Sequence, residues 1–187
     1  MTRHLKKLLL CMTGGYEVYR IFAHGVPTRA AAEAPADAGE IRLVDHADLE
    51  RSGDPLMRAQ AWYAGDEACV FAYFERDRIV GVCAYWFGAR YRSRDFWPLG
   101  AAEANLMQVV TLDECRGRGI ARRLIERSTA DMVARGHVRL FARIWLTNTA
   151  SIRAFGMAGW NQVGIVLRCN PLRRSRPMRL VLRSRGA

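Results

Sequence analysis

The run Arg116-Gly117-Arg118-Gly119-Ile120-Ala121 constrains this chain more than any other stretch. An apolar, β-branched segment, Glu103–Leu112, precedes it. After it, Ile120, Leu124, Ile125, Thr129, Met132 and Val133 recur at helical spacing. A glycine-punctuated turn therefore joins a strand to an amphipathic helix over Gly119–Arg135, and Gly136 stands at the left-handed C-cap position. Glycines in such a turn remove the Cβ atoms that would cover successive backbone N–H groups, and those groups lie at the positive end of the helix dipole. A diphosphate fits a nest of this kind. Tight-turn packing accommodates the same two glycines, so the turn alone leaves both readings open.

Strands and helices alternate around this turn. Ile41–Val44 reads as a short strand and Asp45–Ala64 as mostly helical, interrupted near Gly53-Asp54-Pro55. Ala68–Phe74 and Ile79–Phe87 are β-branched and aromatic runs flanking Arg76-Asp77, a hairpin signal. Gly88–Ala102 is a loop rich in arginine and aromatic residues. Val138–Leu146 is a further strand, Thr149–Met157 a short helix stopped by Gly159, and Gln162–Leu167 and Met178–Leu182 are closing strands. The order predicts an α/β (α+β) mixed sheet with a meander before a central crossover. Residues 1–40 read as an N-terminal extension and linker, because Arg29–Glu40 is alanine-rich with too little apolar bulk to fix itself. Residues 41–187 form the compact domain.

Among the 187 residues, all but two of the 29 basic ones are arginine, and the net charge is +11. Such an excess favours phosphate-bearing or acidic partners. Seven arginines and no acidic residue lie between Arg168 and Arg185. No recognition motif accompanies them, so nucleic acid is not the expected partner. The five cysteines, Cys11, Cys69, Cys83, Cys115 and Cys169, are odd in number and scattered, without a CxxC pair. No metal site and no disulfide framework follow, and the setting expected is the reduced cytoplasm. Leu8–Met12 is too short an apolar run for a signal core or a transmembrane segment.

A second motif, Asn148-Thr149-Ala150-Ser151-Ile152-Arg153-Ala154-Phe155 followed by Gly159-Trp160, lies some way beyond the first. Together the two resemble the GNAT superfamily of acyl-CoA-dependent N-acyltransferases. The first resembles its Gln/Arg-x-x-Gly-x-Gly/Ala pyrophosphate signature, the second its Asn-x-x-Ala/Ser-Ile-x-x-aromatic element. The resemblance spans about Ile41–Val181. It implies a GNAT fold whose neighbouring parallel strands, Glu103–Leu112 and Val138–Leu146, splay apart. It also implies acetyl-CoA as co-substrate: Val109, Val110 and Thr111 pair with pantetheine, Arg116, Gly117, Arg118, Gly119, Ile120, Ala121 and Arg122 take the diphosphate, and Asn148 bonds the pantetheine arm. Asn148 also suits a helix N-cap, and the two roles are compatible.

The implied activity is N-acetyl transfer to a primary amine of a small molecule, by direct attack. Phe155 departs from the pattern, since many members carry there a tyrosine that protonates the leaving thiolate. Phenylalanine has no proton to give, and packing against cofactor or core is its expected role. Arg143 replaces the glutamate of ribosomal-protein N-terminal acetyltransferases. An attacking amine must shed a proton, and Glu103, at the start of the strand that holds the thioester, is the candidate base. An exposed strand-end glutamate is its competing reading. His46, His137, Tyr85, Tyr91 and Cys115 read more simply as packing, surface or turn residues. Two other functions stand beside the first: a CoA-binding regulatory or degenerate module without turnover, and a protein-amine acetyltransferase. The acceptor is expected to meet the loop Ala89–Leu99, and the N-terminal appendage offers contacts for a homodimer.

Overall fold

The computed structural model describes residues 16–25, 39–94, 96–170 and 178–184. Leu8–Met12, most of the expected linker Arg29–Glu40, and the arginines at 173, 174, 176 and 185 lie outside them. Eight strands form one sheet: β1 (Tyr16–Gly25), β2 (Glu40–Val44), β3 (Ala68–Glu75), β4 (Arg78–Trp86), β5 (Glu103–Thr111), β6 (Arg139–Trp145), β7 (Asn161–Cys169) and β8 (Met178–Arg183). Five helices join them: α1 (His46–Glu50), α2 (Pro55–Arg58), α3 (Gly88–Arg92), α4 (Ile120–Ala134) and α5 (Thr149–Met157). The strand order is β2-β3-β4-β5-β6-β1-β7-β8. Every neighbouring pair is antiparallel except β5 and β6, which are parallel. This is the mixed α/β sheet that the motifs imply.

Local chemistry sets most of these elements. Asp45 and Asp48 form a reciprocal capping box at the start of α1. Asp54 caps α2, with Pro55 in its first turn. Leu124, Ile125 and Met132 of α4 are fully buried against the sheet, which is where the apolar stripe read from the sequence points. Beneath them, Cys83 and Tyr85 of β4 meet a small polar cluster. The Tyr85 hydroxyl lies 3.1 Å from Ser128 Oγ, and Trp160 Nε1–H donates to Thr129 Oγ1 at 3.2 Å. Burial pushes the Tyr85 hydroxyl far up and the Cys83 thiol up to about 12.

Residues 1–40 read as an extension and linker; for Tyr16–Gly25, β1 shows a different place. This strand lies inside the sheet, paired with β6 on one side and β7 on the other. Its side chains alternate between the two faces. Phe22 enters the main core, whereas Tyr19, Ile21 and Ala23 join Phe141 and Val166 under Trp97 on the opposite face. That second cluster draws the segment after α3 across the sheet. It also explains why Phe96-Trp97-Pro98-Leu99 holds so many apolar residues in a connecting loop.

Candidate active site

The parallel pair β5–β6 opens partway along. Glu103–Leu106 pair with Arg139–Ala142, and beyond Leu106 the two strands run on to Thr111 and Trp145 without pairing to each other. A register shift opposite Ala84 and Tyr85 leaves Met107 as an extra residue, a bulge that bends β5 away. In an antiparallel ladder the N–H groups alternate sides. Leu112 donates its N–H to Val80 O on the β4 side at 2.9 Å. Alternation then turns Val110 toward β4 as well, and turns the N–H and C=O of Val109 and Thr111 into the gap. Of the three residues expected to pair with a ligand, Val109 and Thr111 have main-chain groups available and Val110 does not. Thr111 Oγ1 is buried and has no partner among the described residues.

The open end of β5 leads into the glycine turn. Gly117 and Gly119 have φ of +76° and +75°, a region that disfavours side chains. A Cβ placed at either would meet nothing within 4 Å, so the space before α4 is clear. Gly119 is the N-cap and supplies no side-chain acceptor, which leaves the first-turn N–H groups, Ile120 and Ala121 among them, uncapped. The nearby guanidinium groups are turned to neighbours. Arg118 forms two hydrogen bonds to Glu75 (2.6 and 3.1 Å), Arg122 pairs with Glu126 (2.7 Å) and Arg116 with Asp113 (2.7 Å). These pairs are solvent-exposed and individually weak. The anion-binding capacity therefore resides chiefly in the backbone. The open turn, the two inward amides and the unpartnered Thr111 hydroxyl fit a phosphate-bearing ligand with an extended amide arm.

On the far side the gap widens into a cleft of about 590 Å³. Met107, Gln108 and Val109 form one wall, and Arg143, Ile144 and Trp145 of β6 the other. Asn148, Ser151 and Phe155 reach it from α5. Asn148 caps α5, its Oδ1 accepting the Ser151 N–H at 3.1 Å; its amide nitrogen remains free to donate. Phe155 is buried with its ring edge-on to Trp160 at 5.0 Å, and packing accounts for its place. Trp62, Tyr63, Tyr91, Arg94 and Phe96 close the outer end, joined by Glu17 of β1 and Arg168 of β7.

Glu103 stands elsewhere. Its Oε2 accepts the Gly100 N–H at 2.7 Å, its other oxygen faces Arg139 at 3.6 Å, and it is not among the residues lining the cleft. It fastens the turn at the closed end of β5. Glu17 is the one carboxylate among the described lining residues. It accepts a hydrogen bond from the Tyr19 hydroxyl at 2.7 Å and lies 3.5 Å from Arg168. Sequence reasoning missed it because it belongs to the stretch assigned to an extension. Alternation of Tyr19, Ile21 and Ala23 was the available signal. Tyr91 lines the cleft, its hydroxyl accepting the Trp97 N–H at 3.0 Å. Tyr85 and Cys115 are buried outside it, His46 is exposed on α1, and His137 packs on Phe87. Among the described residues, no group of three or more His, Cys, Asp or Glu is placed to hold a metal ion. No helix there is long and apolar enough to cross a membrane.

The fold recurs in solved structures. An acetyltransferase of the GNAT family from Colwellia psychrerythraea superposes with a TM-score of 0.61 at 15% identity, covering 90% of this chain and 62% of that one. A GCN5-related N-acetyltransferase from Sphaerobacter thermophilus gives 0.58 at 17% identity, covering 96% and 57%. An aminoglycoside N-acetyltransferase in complex with CoA gives 0.50 at 18% identity, covering 66% and 92%. This chain thus spans less than two thirds of the first two proteins, and likeness at such identities speaks for the fold alone. No curated protein matches by sequence. Residues 39–160 match the model of the Acetyltransferase (GNAT) family, and with both motifs and the open strand pair inside that span, the chain belongs to it.

Proposed function

We propose that this chain is an N-acetyltransferase that moves an acetyl group from acetyl-CoA to the primary amine of a small molecule by direct attack. The observation that carries the reading is the opening of β5 from β6 after Leu106, beside a helix start whose glycines leave backbone N–H groups clear. Gly117, Gly119, Ile120 and Ala121 then face the diphosphate, and Val109 and Thr111 pair with the pantetheine arm in the manner of an added strand. Asn148 donates to the same arm. Acetyl-CoA supplies an activated carbonyl and a thiolate leaving group.

Glu17, rather than Glu103, takes a proton from the incoming ammonium in this reading, directly or through water, and its position in the cleft lining supports that role. The freed lone pair forms the new N–C bond as the C–S bond breaks, and a β5 amide steadies the negative charge on the carbonyl oxygen. The nitrogen sheds its second proton to water, and the departing thiolate takes one from water, since Phe155 has none to offer. Thiolate is a tolerable leaving group, so the missing phenol need not stop turnover.

The competing reading, a CoA-binding module without turnover, draws on Phe155. Release of free CoA thiol across a panel of primary amines separates the two. Thiol release that requires an amine, with the acetylated amine found by mass spectrometry, supports transfer. Binding of acetyl-CoA without thiol release from any amine would replace it.

A further inference from the structure

The outer cleft has an unusual charge balance: its lining holds Arg94, Arg143 and Arg168 against a single carboxylate, Glu17. Glu17 is matched with Arg168 at 3.5 Å. Arg94 and Arg143 have no carboxylate within ion-pair distance among the described residues. They are held by rings instead. The Arg143 guanidinium lies 4.3 Å from the Phe96 centroid and 5.0 Å from that of Tyr19, and the Arg94 guanidinium lies 4.9 Å from Trp62. Stacking covers the face of a guanidinium and leaves its edge, a planar fork of N–H donors, for an acceptor. Both groups line the same cleft. Burial pushes the Tyr63 hydroxyl up, and Arg94 and Arg143 together pull it back. Around them, Trp62 is 55% exposed and Trp145 45% exposed, open apolar faces suited to a planar body.

Building on the transfer reading, we propose that the acceptor is an amine carrying an oxyanion, a carboxylate or a phosphate, on an aromatic or planar body, with Arg94 and Arg143 holding the anion. Two guanidinium edges without a protein acceptor among the described residues are poised for charge-assisted hydrogen bonds, which are stronger than neutral ones. The same cations disfavour a second positive charge nearby. The cleft therefore repels a polyammonium acceptor, and it also eases loss of the proton from the attacking ammonium.

The test pairs amines that differ only in the anion: phenylalanine against phenylalaninamide, O-phosphotyrosinamide against tyrosinamide, with a polycationic aminoglycoside as a third arm. Each is read by CoA thiol release and, independently of turnover, by calorimetry on the CoA-loaded protein. The amide of phenylalanine deprotonates more readily than the acid, so intrinsic amine reactivity runs against the expected order. We expect the anionic member of at least one pair to lead its neutral partner in affinity and kcat/KM by roughly tenfold to a hundredfold, the value of a hydrogen bond to a charged group. Arg143→Gln and Arg94→Gln should each shrink that ratio toward one. Equal or better use of both neutral amides, or preference for the aminoglycoside, would overturn the proposal while leaving transfer intact. Selective binding of the anionic amine without thiol release would sustain the proposal and refute transfer.

Discussion

Replacing Gly119 by glutamate tests whether the turn before α4 grips a diphosphate. Two costs must be separated. Gly119 has φ of +75°, where a non-glycine residue loses about 1–2 kcal/mol whatever its side chain. Because a Cβ there would meet nothing within 4 Å, no clash adds to that figure. For a domain of this size, about 1–2 kcal/mol lowers Tm by roughly 2–8 °C. The carboxylate itself sits at a helix N-terminus, which offsets about 0.3–1 kcal/mol. Gly119→Glu should thus melt no lower than Gly119→Ala.

Ligand binding should part the two. A carboxylate about 5 Å from a phosphate charge, at an effective dielectric constant near 20, repels it by about 3 kcal/mol. That corresponds to a loss of affinity beyond roughly a hundredfold. Titration calorimetry with CoA should therefore find Gly119→Ala weakened slightly and Gly119→Glu weakened beyond a hundredfold, with the difference shrinking at high salt. If the glutamate variant, still folded by its melt, binds CoA within about tenfold of the alanine variant, the diphosphate does not lie at this turn and the argument fails.

Glu17→Gln keeps the shape of the cleft and removes a proton acceptor, so kcat should fall by about 10²–10⁴ with acetyl-CoA affinity unchanged in calorimetry; an unaltered rate would assign the proton elsewhere. Ile21 is fully buried in β1, so Ile21→Ala should cost about 2–5 kcal/mol in urea unfolding, and a chain begun at residue 39 should lose the cooperative transition; a melt like that of the full chain would show β1 to be dispensable. Burial holds the imidazoles of His24 and His137 below their usual value, with Arg135 adding to the effect at His137. Above the unfolded-state value of about 6.5 both states are neutral and nothing is lost, but as pH falls below it the unfolded chain takes up protons first, so stability should decline between about pH 7 and 5. A His24→Asn, His137→Asn double variant should flatten that slope, and a slope that persists would place its origin in other groups. Cys83, buried and pushed up to about 12, should resist alkylation in the native protein while Cys69, partly exposed, reacts; equal labelling would show that the core opens.

What the sequence made legible was local. The apolar stripe of α4, the cap at Asn148 and the two glycines at positive φ follow from neighbouring residues, and each lies where the pattern places it. Residues whose role depends on distant pairing were not legible. The placement of Val110 follows from which strand lies beside β5, because alternation assigns its N–H to β4 only once that partner is known. Glu103 begins the expected strand, yet the closed end of the β5–β6 pair gives it a turn to fasten rather than a substrate. Glu17 and Arg168 sit on β1 and β7, whose adjacency no spacing in the sequence announces. The arginine excess likewise hid Arg94 and Arg143 among many alike, until the strand order brought both to one opening.

The position of β1 between β6 and β7 bears on how this protein is made. On the ribosome, Tyr16–Gly25 emerge well before both of their partners, which belong to the last third of the described chain. Pairings of such long range raise the contact order and slow the closing of the sheet. Until they form, Glu17 has no Arg168 to meet and Tyr19 has no Trp145 to lean on. A nascent chain can therefore assemble the β3–β4 hairpin and the glycine turn well before β1 and β7 bring Glu17 and Arg168 together at the cleft.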